Sequence, residues 1–381
     1  MNITAYHNIL NVTDTAERSF AFDASGRLFA VYDNGWYIRR SINGSMAAKR
    51  WTDLKARAYV LQPDDSQTLN EQAYACVRRL QHTGLSQCTV KYHDRYAYGQ
   101  VHEWIAQTAQ FDCRHDSHTF SRIYRAPVGI LPPDHYLPVV VQVTEGCQWN
   151  QCSFCTFYKN QRFRKKSLPE IMEHIKHIRD AFGTGISLRN SVFLGEANCL
   201  ALDTDAVVEV LHAANELFEP VMDDYRGISA FVEPHAAHAQ YDAVDFQRLK
   251  QAGLRCVYVG FETGSEELRH RLHKPGTVRS AEEMIRRIKE AAMSVGLILM
   301  VGIGGHRYEE IHVNETIEAL RRLPLDGSDM IFMSPLLGGD GIDATGGSLH
   351  WHEIVAQYEI LKQGLPFGLR SSLYEIQGFI Y

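Results

Sequence analysis

The chain has 381 residues, of which 45% are hydrophobic and 22% are charged, and its formal net charge is −6. This length and composition are typical of a globular protein with one large domain plus a smaller one, or with two medium domains. The acidic balance argues against a general nucleic-acid binder. No apolar run is long enough to span a bilayer, and the start of the chain has no basic stretch followed by an apolar one. We therefore expect a cytoplasmic protein without a membrane span.

The first part of the chain is predicted to be a small α+β domain. Residues 18–62 alternate apolar and polar side chains, and turn-forming pairs divide them at Ser25-Gly26, Asn34-Gly35 and Asn43-Gly44. This pattern predicts an antiparallel meander. Amphipathic patterns at residues 70–81 and 101–110 predict two helices. Residues 113–138 show no sustained period and contain two adjacent prolines, so we expect a linker or strap there.

From residue 137 onward, strand-like and helix-like segments alternate. The strand-like segments are LPVVVQVTE, SVFLGEA, GISAFVEP, CVYVGFE, LILMVGIGG and DMIFMSPL, with five amphipathic segments between them. This alternation is typical of α/β folds with parallel strands. Six units are too few for a complete eight-fold barrel, so we predict an incomplete (β/α)6 TIM-like barrel. Its chemistry is expected in the loops that follow the strands.

These patterns divide the chain into three predicted parts. They are an accessory α+β domain (1–128), the partial barrel (129–340), and a helix with an extended tail (341–381). We expect the amino-terminal meander and the tail to cover the open end of the barrel and to shape the choice of substrate.

Three of the eight cysteines, Cys147, Cys152 and Cys155, lie within nine positions directly after the first predicted parallel strand. Without a signal peptide, disulfides are not expected, so clustered cysteines indicate a metal centre. Three thiolates suit either a zinc ion with an open position or a [4Fe–4S] cluster with one free iron. No histidine stands at zinc-finger spacing, since His174 and His177 lie inside the next predicted helix. Aromatic residues also surround the loop, which favours the cluster.

The cysteine loop, together with the strand–helix series, resembles the radical SAM superfamily. In that family three cysteines bind a [4Fe–4S] cluster, whose open iron chelates the amino and carboxylate groups of S-adenosylmethionine. The commonest family spacing is C-x3-C-x2-C, and this chain has one more residue between the first two cysteines. It is similar in this to a subset of members whose loop reads GC-x-W-N-x-C-x-F-C and continues into Y-K-x-x-x-F-R.

The resemblance also implies which residues contact S-adenosylmethionine. Phe154, beside the last cysteine, stands where the family has an aromatic residue on the adenine. Gly195 and Glu196 stand at the turn that binds the methionyl amino group, where a carboxylate suits an ammonium. Glu262 and Lys274 resemble the pair that holds the ribose and the methionyl carboxylate. Lesser candidates are Ser229 and Glu233 of the third strand, and the glycine-rich turn at 301–305 under the adenine.

As a radical SAM enzyme, the chain is expected to receive one electron from an external donor such as flavodoxin or ferredoxin. Reductive cleavage of S-adenosylmethionine then gives a 5′-deoxyadenosyl radical, which abstracts hydrogen from an unidentified substrate; nucleic acid is not the expected partner. No cysteine follows Cys256, so no auxiliary cluster is expected there. The two alternatives are a delivery protein that binds the cluster, S-adenosylmethionine or a porphyrin without radical chemistry, and a zinc-binding module.

Several other residues have two interpretations each. Cys199 is expected to be a buried structural thiol, although it follows the second strand and has a route to the cluster. A basic run follows the cysteines and comprises Lys159, Arg162, Arg164, Lys165 and Lys166. Its charges are interpreted either as contacts to an anionic substrate or as solvated surface charge. The residues after the fifth strand are expected to be exposed, with substrate contact as the alternative; they are His306, Arg307 and His312.

Overall fold

The computed structural model describes residues 1–52, 55–92, 98–135, 137–235, 241–336, 347–374, 376 and 379–381. These residues form two large sheets, each with its own helices. The predicted boundary between residues 340 and 341 lies outside the described residues, and the three-part division stays a prediction. No helix in the described part of the chain combines the length and the apolarity that a membrane span requires.

The amino-terminal sheet is an antiparallel meander with one added strand. Its strands are β1 (Asn2–Tyr6), β2 (Ile9–Thr15), β3 (Arg18–Phe22), β4 (Leu28–Asp33), β5 (Trp36–Arg40), β6 (Met46–Thr52), β7 (Lys55–Val60) and β8 (Thr89–Tyr92). The first seven pair with their neighbours in chain order, and β8 joins β1 in parallel. The meander therefore begins before residue 18, where it was predicted to start. The sequence pattern did not indicate β1 and β2, because these strands are short and rich in polar residues.

Three helices follow the meander. They are α1 (Pro63–Thr83), α2 (Tyr98–Ala109) and α3 (Cys113–Ile123). The first two are the predicted helices, and their apolar residues share one hydrophobic core with the sheet. The third occupies the segment expected to be a linker. It buries Asp116 and Phe120, and Asp116 forms an ion pair with the buried guanidinium of Arg27, so its buried face includes a charged residue where an apolar one would be expected.

The second sheet has seven parallel strands in strict chain order. They are β9 (Pro138–Gln142), β12 (Ser191–Gly195), β13 (Ile228–Val232), β14 (Leu254–Glu262), β15 (Ser294–Val301), β16 (Met330–Pro335) and β17 (Arg370–Leu373). The six predicted strands are present. The predicted extended tail supplies the seventh, which pairs with β16 over Arg370–Leu373. A separate two-stranded ladder joins β10 (Thr144–Glu145) to β11 (Arg164–Lys165).

Helices alternate with these strands. They are α4 (Leu168–Phe182), α5 (Thr204–Phe218), α6 (Ala243–Gln251), α7 (Glu266–Arg271), α8 (Val278–Glu290), α9 (Gly305–Arg322) and α10 (Trp351–Gly364). Side chains of Ser, Thr and Asp cap several amino ends; Ser167 begins α4 and Thr277 begins α8 with capping boxes. The apolar faces join one core, which includes Ile354 and Leu361 of α10.

The amino-terminal sheet contacts the amino ends of the parallel strands. The Arg27 guanidinium donates to the carbonyl of Ala181, at the end of α4, and Asn8 donates to the carbonyl of Ser187, just before β12. The Thr184 hydroxyl donates to the carbonyl of Ala24. The prediction that the meander covers the opposite, open end is therefore wrong. Apolar contacts accompany these hydrogen bonds, since Ile42 and Phe120 belong to the core of the parallel sheet.

Two tyrosine hydroxyls satisfy the edge of β9 that faces away from β12. The Tyr381 hydroxyl accepts from the Val140 amide at 2.8 Å and donates to the Pro138 carbonyl at 3.3 Å, while Tyr124 donates to the Val140 carbonyl at 2.8 Å. Both tyrosines are buried. Since buried backbone groups need partners, these hydroxyls replace the ladder of an adjacent strand.

We expect Tyr381→Phe to destabilise the protein by about 1–3 kcal/mol, because the buried Val140 amide loses its acceptor. Urea unfolding of the full chain measures the change. Tyr32→Phe is the control, since the Tyr32 side chain is exposed. Equal urea midpoints for the two variants would contradict this account of the β9 edge.

Candidate active site

The residues predicted to act together lie at the carboxyl ends of adjacent parallel strands. The cysteine loop follows β9 and β10, Gly195 ends β12, and Glu262 ends β14. Because neighbouring parallel strands end at the same edge of a sheet, one edge carries all of these positions. We call it the carboxyl edge.

The cysteine loop is closed at its two ends. β10 and β11 pair Thr144 with Lys165 and Glu145 with Arg164. The Arg164 guanidinium also lies 2.8 Å from the Glu145 carboxylate and 2.6 Å from that of Glu170. Gly146 starts the loop with φ 70°, which favours glycine. The ladder and the ion pairs therefore fix where the loop leaves and rejoins the fold.

Polar contacts shape the interior of the loop. Asn150 has φ 50°, a conformation that Asn tolerates better than most residues, and its side chain donates to the Tyr158 carbonyl at 2.7 Å. The Lys159 ammonium donates to the carbonyl of Cys152 at 2.9 Å and to that of Asn150 at 3.2 Å. Sequence reasoning placed Lys159 in a basic run, whereas the structure gives it this bracing contact.

The three cysteine side chains are half-buried and interact electrostatically. Burial, reinforced by the negative charges of Cys155 and Cys147, raises the pKa of Cys152 to about 11. Burial also raises the pKa of Cys155. Metal ligation would replace the protons of these thiols. Three thiols in one loop are the number that the predicted three-cysteine ligation of a [4Fe–4S] cluster requires.

Across the described ranges, no group of three or more His, Cys, Asp or Glu side chains is arranged to hold a metal ion. The choice between a zinc ion and a cluster at the three cysteines stays a prediction.

The loop docks on the segment after α7. The Trp149 indole donates to the His273 carbonyl at 2.6 Å, and the Ser153 amide donates to the Leu272 carbonyl at 2.9 Å. Phe154 packs against an apolar cluster at the carboxyl edge, made of Leu268, Leu272, Met300, Ile303 and Tyr308. Phe154 thus provides an apolar wall beside Cys155, and its predicted contact with adenine stays a prediction.

Glu262 and Lys274 form a buried ion pair of 3.3 Å. Burial opposes the Lys274 ammonium, but the charges of Glu262 and Cys152 outweigh it and raise the pKa of Lys274. A Cβ atom at Gly260 would lie 2.6 Å from the Glu262 carboxylate, so a larger residue there would shift that carboxylate from its present position. Arg269 was not predicted; it is fully buried and donates to the carbonyls of Phe261 and Pro275.

Glu196 belongs to a buried network. Its carboxylate accepts from the Gly129 amide at 3.1 Å and from the Gln142 side chain, and the Tyr158 hydroxyl also contacts it. Burial raises the pKa of Glu196 to about 7. Both carboxylate oxygens are thus engaged, and the predicted contact with the methionyl amino group stays a prediction. Gly195 lies on β12 directly before this carboxylate.

The remaining candidate residues lie at different places in the structure. Glu233 is buried after β13 and accepts from the His235 amide, whereas Ser229 lies near the amino end of β13. Burial raises the pKa of Cys199 to about 12, as expected for a structural thiol. His312 was expected to be exposed, and this is wrong: it is fully buried and hydrogen-bonds Thr263 at 2.8 Å. It lies on the buried face of α9, where Thr316 of the same helix also contacts its ring at 3.4 Å.

The basic run and the other two residues after β15 do not form one surface. Arg162 and Lys165 are exposed, while Arg164 and Lys166 pair with Glu145. His306 is half-exposed and lies 3.7 Å from Glu353. The guanidinium of Arg307 lies over the ring of Tyr308.

Residues 141–320 match the family model described as the radical SAM superfamily. No curated protein matches the chain. Among solved structures, it is similar to the radical S-adenosylmethionine methyltransferase TsrM from Kitasatospora setae (17% identity, 56% of this chain, 40% of that chain, TM-score 0.39). It is also similar to methylornithine synthase PylB (16%, 67%, 74%, 0.41) and to the hydrogenase maturase HydG from Carboxydothermus hydrogenoformans (13%, 83%, 74%, 0.37).

The match therefore spans less than half of TsrM and about three quarters of the other two proteins. Since these TM-scores lie below 0.5, the assignment rests on the family match of residues 141–320. Residues 141–320, just under half of the chain, therefore match a radical SAM domain. This match agrees with the two predicted cofactors, a [4Fe–4S] cluster and S-adenosylmethionine.

We expect Lys159→Met to loosen the cysteine loop, because the ammonium no longer bridges two carbonyls. The loss of one charged hydrogen bond corresponds to about tenfold faster amide exchange at 147–155 in the cluster-free protein. Hydrogen exchange measures this, and iron release to a chelator provides a second measurement. Arg162→Met, an exposed residue of the same loop, is the control. Unchanged exchange in Lys159→Met would rule out the brace.

Glu196 gives a pH dependence with a defined sign. A carboxyl group with a raised folded-state pKa stabilises the protein fully below its unfolded pKa of about 4.3 and loses this contribution as pH rises toward 7. The loss is on the order of 3 kcal/mol. We expect Glu196→Gln to flatten the fall of the urea midpoint between about pH 5 and 7. The exposed Glu209→Gln should retain the wild-type slope; an unchanged slope in Glu196→Gln would refute the assignment.

Proposed function

We propose that this chain is a radical SAM enzyme, with Cys147, Cys152 and Cys155 as the three ligands of a [4Fe–4S] cluster. The observation that carries the proposal is the clamped loop of three half-buried thiols at the carboxyl edge, inside the segment that matches the superfamily. When bound, the reduced cluster and S-adenosylmethionine supply a 5′-deoxyadenosyl radical that removes a hydrogen atom from the substrate.

The chain's own residues orient the cofactor and exclude water. Phe154 and the apolar cluster around Leu268 and Met300 form an apolar surface beside Cys155. A primary alkyl radical reacts with stray groups, so an apolar wall protects it. The backbone contacts of Trp149 and Ser153 hold the loop against this wall.

Charged residues at the carboxyl edge suit the polar groups of S-adenosylmethionine. Glu262 is proposed to accept from the ribose hydroxyls and Lys274 to bind the methionyl carboxylate. Their buried pair supports this, since a buried ion pair contributes little net stability. Gly195 and Glu196 are proposed to meet the amino group. A Glu196 pKa of about 7 makes both charge states accessible near neutral pH.

We propose that the seven-stranded sheet is an incomplete TIM-like barrel, one strand larger than predicted. Aromatic contacts across alternate strands support strong curvature. The ring centroids of Phe193 on β12 and Tyr258 on β14 are 6.0 Å apart, and those of Tyr258 and Phe332 on β16 are 6.1 Å apart. In a flat sheet, strands with another strand between them stand roughly 9–10 Å apart.

The electron is proposed to come from an external carrier such as flavodoxin or ferredoxin. The other five cysteines are scattered along the sequence, so no second cluster motif is available to supply it. We propose a cytoplasmic location, which provides such carriers. The substrate is proposed to enter beside the strap residue Gly129, which contacts Glu196 at the carboxyl edge.

Cys152→Ala is expected to abolish cluster binding, because two thiolates rarely retain a cubane. After anaerobic reconstitution, iron and sulfide should fall to background, and dithionite with S-adenosylmethionine should release no 5′-deoxyadenosine. Cys88→Ala, in the amino-terminal domain, should behave as wild type. A Cys152→Ala protein that stays brown and active would refute the ligand assignment.

The same assay distinguishes the alternatives. A wild-type protein that binds the cluster and S-adenosylmethionine, yet never releases 5′-deoxyadenosine, would indicate a delivery protein. A colourless protein with one zinc would indicate a zinc-binding module. Release of 5′-deoxyadenosine by wild-type protein excludes both.

A further inference from the structure

A polar cavity of about 210 Å³ lies outside the cysteine loop, between the end of α3, the β10–β11 ladder and α4. Its walls combine basic residues from three parts of the chain. Arg122 and Arg125 come from the end of α3 and the strap, Lys166 follows β11, and His174 lies on α4. None of these four has a role in the radical chemistry proposed above.

The lining of the cavity has one positive charge more than negative ones. Its cations are Arg122, Arg125, Arg164 and Lys166, against the carboxylates of Glu145, Glu170 and Glu173. Arg164 pairs with both Glu145 and Glu170, at 2.8 and 2.6 Å. The Lys166 ammonium lies 3.8 Å from the Glu145 carboxylate, beyond hydrogen-bond distance.

Two buried side chains form the floor of the cavity. Lys166 is 8% exposed, and burial lowers the pKa of its ammonium although the carboxylates of Glu145 and Glu196 act in the opposite direction. His174 is 7% exposed, and its Nε2 has no hydrogen-bond partner in the part of the chain that the structure describes. Burial lowers the pKa of His174 to about 3, so the ring is neutral and offers one N–H. An unpaired buried polar group is costly, and a ligand oxygen would satisfy it.

We propose that this cavity binds the oxyanion group of a small ligand, a phosphate or a carboxylate. Lys166 and His174 would contact it from the floor, and Arg122 and Arg125 from the rim. The oxygens of phosphates and carboxylates accept hydrogen bonds from charged donors and from N–H groups of this kind. The polar walls and the small volume suit a single anionic group.

A single side chain, that of Gln142, connects the cavity to the carboxyl edge. Gln142 of β9 lines the cavity, and the Gln142 amide donates to Glu196 and to the carbonyl of Ala126. Lys166 also interacts electrostatically with Glu196. A bound anion therefore acts on the network that holds Glu196 without entering the site itself.

Anion binding is tested on the full chain at constant ionic strength, with and without the reconstituted cluster. Inorganic phosphate and acetate are titrated separately by calorimetry. We expect saturable binding of at least one anion; binding of phosphate alone identifies a phosphate site, and binding of acetate identifies a carboxylate site. Lys166→Met should weaken it about tenfold or more, the value of one charged contact. The exposed neighbour Lys165→Met should bind as wild type.

Arg125→Met, at the exposed rim, provides a second variant in case Lys166→Met does not fold, and it should also weaken binding. Absence of saturable binding to the wild-type chain overturns the proposal. Equal affinities in wild type, Lys166→Met and Arg125→Met overturn it as well. Because the binding is measured without turnover, its failure leaves the radical SAM assignment untouched, and failure of that assignment leaves the cavity untouched.

Discussion

The short ladder between β10 and β11 is the constraint on which the site depends. The cysteine loop is short and is held mainly by polar contacts, and burial raises the pKa values of two of its thiols, those of Cys152 and Cys155. If such a loop were disordered before a metal centre binds, binding would have to offset the conformational entropy that the loop loses on ordering. The ladder closes the loop, Arg164 fastens the ladder to Glu145, and Lys159 and Asn150 fix the turns inside it. The chain thus meets most of the entropic cost when it folds.

The carboxyl edge combines this loop with buried charged residues whose presence is not explained by a contribution to the stability of the fold. Replacing a buried ion pair by apolar residues is often neutral or stabilising, which supports the proposal that Glu262 and Lys274 contact a ligand. Three features converge on it: glycine at 260, a left-handed backbone at Glu262 with φ 64°, and a buried Arg269 bonded to neighbouring carbonyls. Strained or costly features of this kind concentrate at functional sites.

The sequence predicts those parts of the molecule that follow a regular period or a local spacing. The parallel strands are continuous apolar runs, and the three cysteines are adjacent in the chain, so both were predicted. The helix α3 was not, because its buried face includes an aspartate paired with Arg27. The docking of the meander was predicted at the wrong end, since it involves contacts between residues far apart in the chain, such as that of Asn8. Long-range pairing of this type leaves no trace in local composition.

The position of the meander changes how access to the site is understood. The amino-terminal sheet contacts the opposite edge, and the strap residue Gly129 contacts Glu196 together with Gln142 and Tyr158. The strap is anchored by the Tyr124 hydroxyl on the Val140 carbonyl of β9 and by the Gln142 side chain on the carbonyl of Ala126. It therefore runs alongside β9 toward Glu196. Because the Gly129 amide donates to the Glu196 carboxylate, a change in the charge of Glu196 acts on the strap directly. Under the proposed entry of substrate beside Gly129, substrate access and the protonation of Glu196 are coupled through this hydrogen bond.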